Sequence, residues 1–232
     1  MIFLLKILKI QDSKINFNRA LWYLLHSYFI NPFIIAKFAF KNISLAQYNI
    51  IITGGPSSGK TSIINQLEKE GYFCFPEFIR SITQEAKNKD DAIQIISNPI
   101  ISVSDPYDFN TQLLAGRIKQ YTDRIEVNNN IVFYDRGIPD VLAYMDFFNQ
   151  PYDTPFIEAC EKYVYTQVFL LPPWKEIYTT DQERYESYEE SQQIHQCLLD
   201  TYSKFGYNCI EVPFGNVVER STFIVQELHN II

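Results

Sequence analysis

The sequence predicts an α/β domain, a mostly parallel sheet with helices on both faces, on three observations. Apolar runs of four or five residues alternate with helical stretches from Asn49 onward. The connections between them are short, and several runs end in clusters of Gly, Pro or charged residues.

The elements follow in order. Asn49-Ile50-Ile51-Ile52-Thr53 reads as a buried first strand, and Ser62 to Lys69 as the helix after it. Tyr72-Phe73-Cys74-Phe75 is a second strand, closed by Pro76-Glu77, with a helical stretch from about Ile79 to Lys89. Asp105 to Val127 has helical periodicity, and Pro106 suits a first turn. Ile131 to Tyr134 is a third strand ending at Asp135-Arg136-Gly137, and Gln167 to Leu171 a fourth, closed by Pro172-Pro173. Cys209 to Val212 is the fifth, and Asn216 to Ile232 the last helix. No repeat or low-complexity linker interrupts this stretch, so residues 49–232 form one domain and residues 1–48 an extension.

Between the first strand and its helix lies Gly54-Gly55-Pro56-Ser57-Ser58-Gly59-Lys60-Thr61, which satisfies G-x-x-x-x-G-K-[ST]. A Gly-rich loop leading into a helix wraps a polyphosphate with backbone N–H groups and adds the positive end of the helix dipole. Residues 54–62, Gly54 through Ser62, are therefore expected to hold a nucleoside triphosphate, with Lys60 on the outer phosphates and Thr61 on Mg²⁺. The flanking strand and helix distinguish this pattern from a chance Gly/Ser turn.

In such sheets ligands lie at the carboxyl ends of the strands, where the other informative residues also fall. Asp135 is expected to hold Mg²⁺ directly or through water, with a strand-end cap as the plain alternative. Arg136 suits a phosphate or an acceptor. Glu77 would orient or deprotonate an attacking hydroxyl, against the alternative of a surface salt bridge. The tyrosine- and charge-rich segment Pro172 to Ser191 occupies the place of a mobile lid, with Arg184 favoured over Lys175 as its phosphate contact. An exposed amphipathic helix is the competing account after Asp181. Phe109, Gln112, Arg117 and Tyr121 stand at helical spacing and are candidates to line an acceptor pocket, although core packing explains Phe109 equally well. Adenine is expected against Pro213-Phe214-Gly215. Asn88-Lys89-Asp90-Asp91 mimics a guanine-reading pattern, but it lies too early in the chain and reads as a helix end and solvated turn.

Composition narrows the partners. Residues 1–47 hold six basic side chains and one acid, a net +5, so the chain's −7 leaves −12 on residues 48–232. An acidic domain is a poor ligand for nucleic acid, and a small-molecule substrate is expected instead. Cys74, Cys160, Cys197 and Cys209 show no C-x-x-C pair, which argues for buried reduced thiols and a cytoplasmic setting. The apolar stretch Ala20 to Phe40 contains His26, Asn31, Pro32 and Lys37 and makes a poor membrane span. Three readings of the extension stay open: a basic, aromatic membrane-surface segment, a segment packed on the domain or a partner, or a stretch outside the natural protein with translation beginning just before Asn49.

Five segments in this order, GGPSSGKTSII, FPEFIRSI, VFYDRGIPDVLAY, VFLLPPWKEIYTTDQERY and EVPFGNVVER, resemble the small bacterial AAA-domain ATPases related to the nicotinamide-riboside kinase domain. The resemblance covers about residues 49–232 and implies a kinase-like P-loop fold that binds ATP and Mg²⁺. The Pro-Glu after the second strand is similar to deoxynucleoside kinases, which implies a base at Glu77. The Asp-Arg after the third strand is similar to thymidylate kinases. An AAA motor carries Asp-Glu where this chain has Asp135-Arg136. Two functions are consistent with this reading: a phosphotransferase acting on a small, nucleoside-like hydroxyl metabolite, or a regulatory ATPase switch that binds a protein or membrane partner.

Overall fold

A computed structural model describes residues 47–79, 105–178 and 186–231. Residues 1–46, the helix expected over 79–89, the Asn88–Asp91 pattern and Arg184 lie outside the described residues. The chain folds as β1 (Tyr48–Gly54), α1 (Lys60–Lys69), β2 (Phe73–Phe75), α2 (Pro106–Asp123), β3 (Ile131–Asp135), α3 (Pro139–Phe147), α4 (Thr154–Lys162), β4 (Gln167–Leu171), α5 (Tyr188–Lys204), β5 (Ile210–Glu211) and α6 (Val217–Ile231). The five strands form one parallel sheet in the order β2-β3-β1-β4-β5.

Sheet order and helix placement follow from one handedness rule. Parallel crossovers are right-handed, so a helix changes face when the chain reverses direction across the sheet. Only the step from β1 to β2 runs one way, and α1 packs on one face together with α6. All later steps run the other way and place α2, α3, α4 and α5 on the opposite face. Alternate residues of β1 divide between the layers: Ile50 and Ile52 join the α1–α6 side, and Ile51 joins the other. Burial on both faces is why these strands read as unbroken apolar runs.

The edge strands are shorter than expected, β2 spanning three residues and β5 two, while β1 gains Tyr48 and Gly54 and β3 gains Asp135. The domain reaches back to Gln47, whose side-chain amide donates to the carbonyls of Arg124, Val127 and Asn129 at 3.1, 3.3 and 3.0 Å. Three helices were not individually legible. α3 is buried on most sides and shows little amphipathic pattern. α4 begins with Thr154-Pro155 behind Asp153. α5 begins with a capping box in which Ser187 and Glu190 bond each other's backbone N–H. The end of the lid-like segment is therefore the start of an amphipathic helix, with Glu189 and Glu190 exposed and Ser191, Ile194 and Leu198 buried, as the competing account expects. Among the described residues no helix is long and apolar enough to cross a membrane.

Candidate active site

β1 is central, and its carboxyl end delivers the phosphate loop between the two faces of the sheet. Gly59 caps α1 with φ 87°, a left-handed conformation that glycine adopts without strain. α1 has no side-chain cap and no acidic residue in its first turn, which leaves the helix start suited to an anion. Lys60 folds back inside the loop, donating from Nζ to the carbonyls of Gly54 and Gly55, both at 2.8 Å. Burial, then the nearby Arg136 charge, pull the Lys60 ammonium down to about 7.

Three side chains converge on it from the neighbouring strands. Asp135, the last residue of β3, is paired across the sheet with Ile52 of β1. Its Oδ1 is fully buried without a hydrogen-bond partner. Burial, then the Glu77 carboxylate, push Asp135 up to about 6. An orphaned carboxylate oxygen beside the phosphate loop fits a divalent cation, and Thr61 supplies a hydroxyl one position after Lys60. Among the described residues no three acidic, His or Cys side chains converge as a protein-only metal cage. That donor set suits Mg²⁺, which keeps water and phosphate oxygens among its ligands.

Arg136 takes φ 75°, a left-handed conformation uncommon outside glycine. Several contacts hold it there. Its Nε donates to Glu77 Oε1 at 2.7 Å, and Nη1 reaches the Gly54 carbonyl at 3.2 Å and Asp140 Oδ1 at 3.3 Å. The guanidinium also lies 5.0 Å from the Tyr144 ring centroid. Glu77 is thus in a largely buried ion pair rather than a surface one. Burial works to raise its carboxyl, but Arg136 and then Lys60 outweigh it and hold Glu77 down at about 2.

Asp140 organises this cluster, and sequence reasoning missed it. Its Oδ1 accepts from Thr53 Oγ1 at 2.5 Å as well as from Arg136. Its Oδ2 accepts from the Gly137 N–H at 2.9 Å and from the Tyr202 hydroxyl. One carboxylate therefore ties β1, the turn after β3 and helix α5 together. Its signal was its place in DRGIPD, four residues after Arg136 on the first turn of α3.

A second group borders the loop at the expected adenine site, and of it sequence reasoning named Phe214 but missed Trp174 and Arg220. Phe214 is 57 % exposed and stacks on Trp174, with ring centroids 5.2 Å apart and planes 29° apart. Arg220 lies 5.7 Å from the Trp174 ring and donates from Nη1 to the Ser58 carbonyl at 3.0 Å. A Cβ on Gly59 would stand 2.9 Å from that nitrogen. Pro213 and Gly215 flank Phe214, and Asn216 and Glu219 cap α6 by reciprocal bonds at 2.9 and 3.0 Å. The legible sign of Arg220 was a charge on the apolar stripe that continues through Ile224 and Leu228.

The acceptor candidates divide. Arg117 is buried, and its charge lies close enough to Glu77 and Asp135 to favour the ionised form of both. Phe109 and Tyr121 belong to the core. Gln112 is exposed and donates to Asp108 one turn earlier at 2.7 Å, so no contact brings it to the cluster. Lys175 is exposed beside the Tyr188 ring.

Among solved structures the fold is similar to NadR in complex with NR, at 18% identity and TM-score 0.60, over 80% of this chain and 51% of that one. This chain thus spans about half the length of NadR. It is also similar to deoxyadenosine kinase from M. mycoides with bound dATP, at 15% identity and TM-score 0.54, over 79% of this chain and 100% of that one. Thymidylate kinase from Candida albicans shares 16% identity at TM-score 0.55, over 80% of this chain and 92% of that one. At these identities the likeness is one of fold. No curated protein matches the sequence. A family model described as an AAA domain matches residues 49–220, from the first strand to the arginine that meets the phosphate loop. With well over half of its length inside that match, the chain belongs to the AAA-domain family of P-loop proteins.

Proposed function

We propose that this protein is an ATP- and Mg²⁺-dependent phosphotransferase acting on a small, nucleoside-like hydroxyl metabolite. The observation that carries this reading is the position of Glu77. It is ionised, fixed by Arg136 at 2.7 Å, and in the same buried cluster as Lys60 and Asp135. A hydrolytic motor would instead need a carboxylate directly after Asp135, where Arg136 stands.

The residues then have distinct tasks. The loop from Gly54 to Ser62 binds the polyphosphate, and Lys60 exchanges its two carbonyl partners for phosphate oxygens. Thr61 and Asp135 would hold Mg²⁺, which supplies charge neutralisation when bound. Glu77 accepts the hydrogen bond of the attacking hydroxyl and takes its proton as the oxygen–phosphorus bond forms, and ADP leaves with the bridging oxygen. A carboxylate held near 2 is a weak base, but phosphoryl transfer depends mainly on positioning and charge stabilisation. Trp174, Phe214 and Arg220 provide an aromatic and cationic shelf for the base of ATP.

The test is ATP turnover by the full chain, alone and with a panel of nucleosides and pyridine ribosides, following ADP and phosphorylated product together. ADP matched one-for-one by product establishes the transferase. Slow ADP release that no acceptor stimulates replaces it with the ATPase-switch reading.

A further inference from the structure

Among the described residues four buried cations meet the site: Lys60 and Arg136 are fully engaged, and Arg220 keeps one bond, from Nη1 to the Ser58 carbonyl, while its Nε and Nη2 have none. Lys60 holds two loop carbonyls, while Arg136 holds Glu77, Asp140 and the Gly54 carbonyl. Arg117 differs. Only 3 % of it is exposed, yet its Nε and Nη1 are fully enclosed with no hydrogen-bond partner. A buried guanidinium without partners is costly, and native structures rarely retain one without a use.

Its position is fixed from both sides along α2. One residue earlier, Gly116 leaves room for the Phe78 ring, which would come within 1.9 Å of a Cβ there. Three residues later, Gln120 Nε2 donates to the Pro76 carbonyl at 2.7 Å. These two contacts clamp α2 against the turn that carries Glu77 and hold Arg117 beside it. Arg136 holds Glu77 at 2.7 Å, Asp135 Oδ1 is itself without a partner, and Arg117 Nε and Nη1 bond to neither carboxylate.

We propose that Arg117 is a specificity residue of the acceptor site and holds an anionic group, a phosphate monoester or a carboxylate, on the phosphoryl acceptor. The inference rests on the phosphotransferase reading and narrows its substrate class. The planar, forked donors of arginine match either anion in a way that a neutral carbonyl cannot fill. The hydroxyl that reacts must then belong to a molecule whose anion lies on the Arg117 side of Glu77.

The test uses the full chain with AMP-PNP and Mg²⁺ filling the phosphate loop, so that added anions cannot bind there. Thermal shifts are read for matched pairs that differ by one anion: thymidine against its 5′-monophosphate, adenosine against AMP, and pyridine ribosides bearing a carboxamide or a carboxylate. An anionic member is expected to stabilise the wild type where its neutral twin does not. The phosphate and carboxylate arms separate the two sources. Arg117→Met should weaken that binding by about tenfold to hundredfold, as loss of charge-assisted hydrogen bonds implies. Arg117→Lys should retain part of it. The ligand-free melting temperature of Arg117→Met should change little, because removing buried donors that have no hydrogen-bond partner offsets losing a charge that favours ionised Glu77 and Asp135. The inference is overturned if no anionic probe shifts the wild type, if both twins bind equally, or if Arg117→Met melts lower and keeps its anion response. Phosphorylated product is scored separately. Its absence with every acceptor sinks the phosphotransferase reading, while the shifts still decide the anion site.

Discussion

Asp140→Asn perturbs the centre of the buried network with almost no change of volume. In the wild type Oδ1 accepts from Thr53 and Arg136, and Oδ2 accepts from the Gly137 N–H and Tyr202. The two hydroxyls can rotate and become acceptors, but the Gly137 N–H and the Arg136 guanidinium cannot. Either orientation of the new amide therefore sets its NH₂ against one fixed donor. That lost bond costs about 1.5–3 kcal/mol where charge is involved, and removing the carboxylate takes one of two anionic partners from a buried arginine. Together these suggest about 3–5 kcal/mol, the range for breaking a buried pair, with Glu77 still bonded to Arg136 at 2.7 Å. At about 2–4 °C per kcal/mol for a chain of this size, melting should fall by roughly 10 °C. Urea unfolding and calorimetry read this directly. A loss below about 1 kcal/mol would refute the assignment of Asp140 as the shared acceptor.

Other perturbations address the chemistry. Glu77→Gln keeps an oxygen for Arg136 and should retain ATP affinity while transfer falls by about a hundredfold or more; equal loss of both would make Glu77 structural. Trp174→Ala should weaken ATP binding by about 1–3 kcal/mol if the base stacks on that shelf, read by calorimetric titration, and unchanged affinity would remove Trp174 from the site. Nucleotide binding should also depend on pH with a defined sign. Lys60, pulled down to about 7, must regain a proton to meet phosphate, so affinity should decline above that pH with proton uptake. Asp135, pushed up to about 6, must be ionised to hold Mg²⁺, so affinity should also decline below that pH with proton release. Titration in buffers of different ionisation enthalpy measures both, and flat behaviour from pH 5.5 to 8.5 would refute the assignment.

Much of the site was legible because its parts stand at strand ends. The phosphate loop is contiguous in sequence, and Glu77, Asp135 and Arg136 each follow a readable apolar run. β3 and β4 were readable to within a residue because both their faces are buried. The remainder depends on partners far apart in the chain. Asp140 meets Tyr202 across 62 positions, and Arg220 meets Ser58 across 162, and no local pattern encodes either pairing. Gln112 stands apart from the cluster for a related reason: helical spacing places side chains around a cylinder, and the cluster lies to one side of it.

The division of the interior into two layers makes the two buried thiols of the chain's four a built-in pair of reporters. Cys74 lies in the layer with α1 and α6, and Cys160 in the opposite one with α2 to α5. Burial pushes both thiols up to about 12, so neither offers a reactive thiolate while its own layer stays closed. A brief alkylation pulse followed by peptide mapping would therefore time the opening of each side of the sheet separately. It would reveal whether the side that carries α1 and the side that carries Arg117 come apart together or in turn.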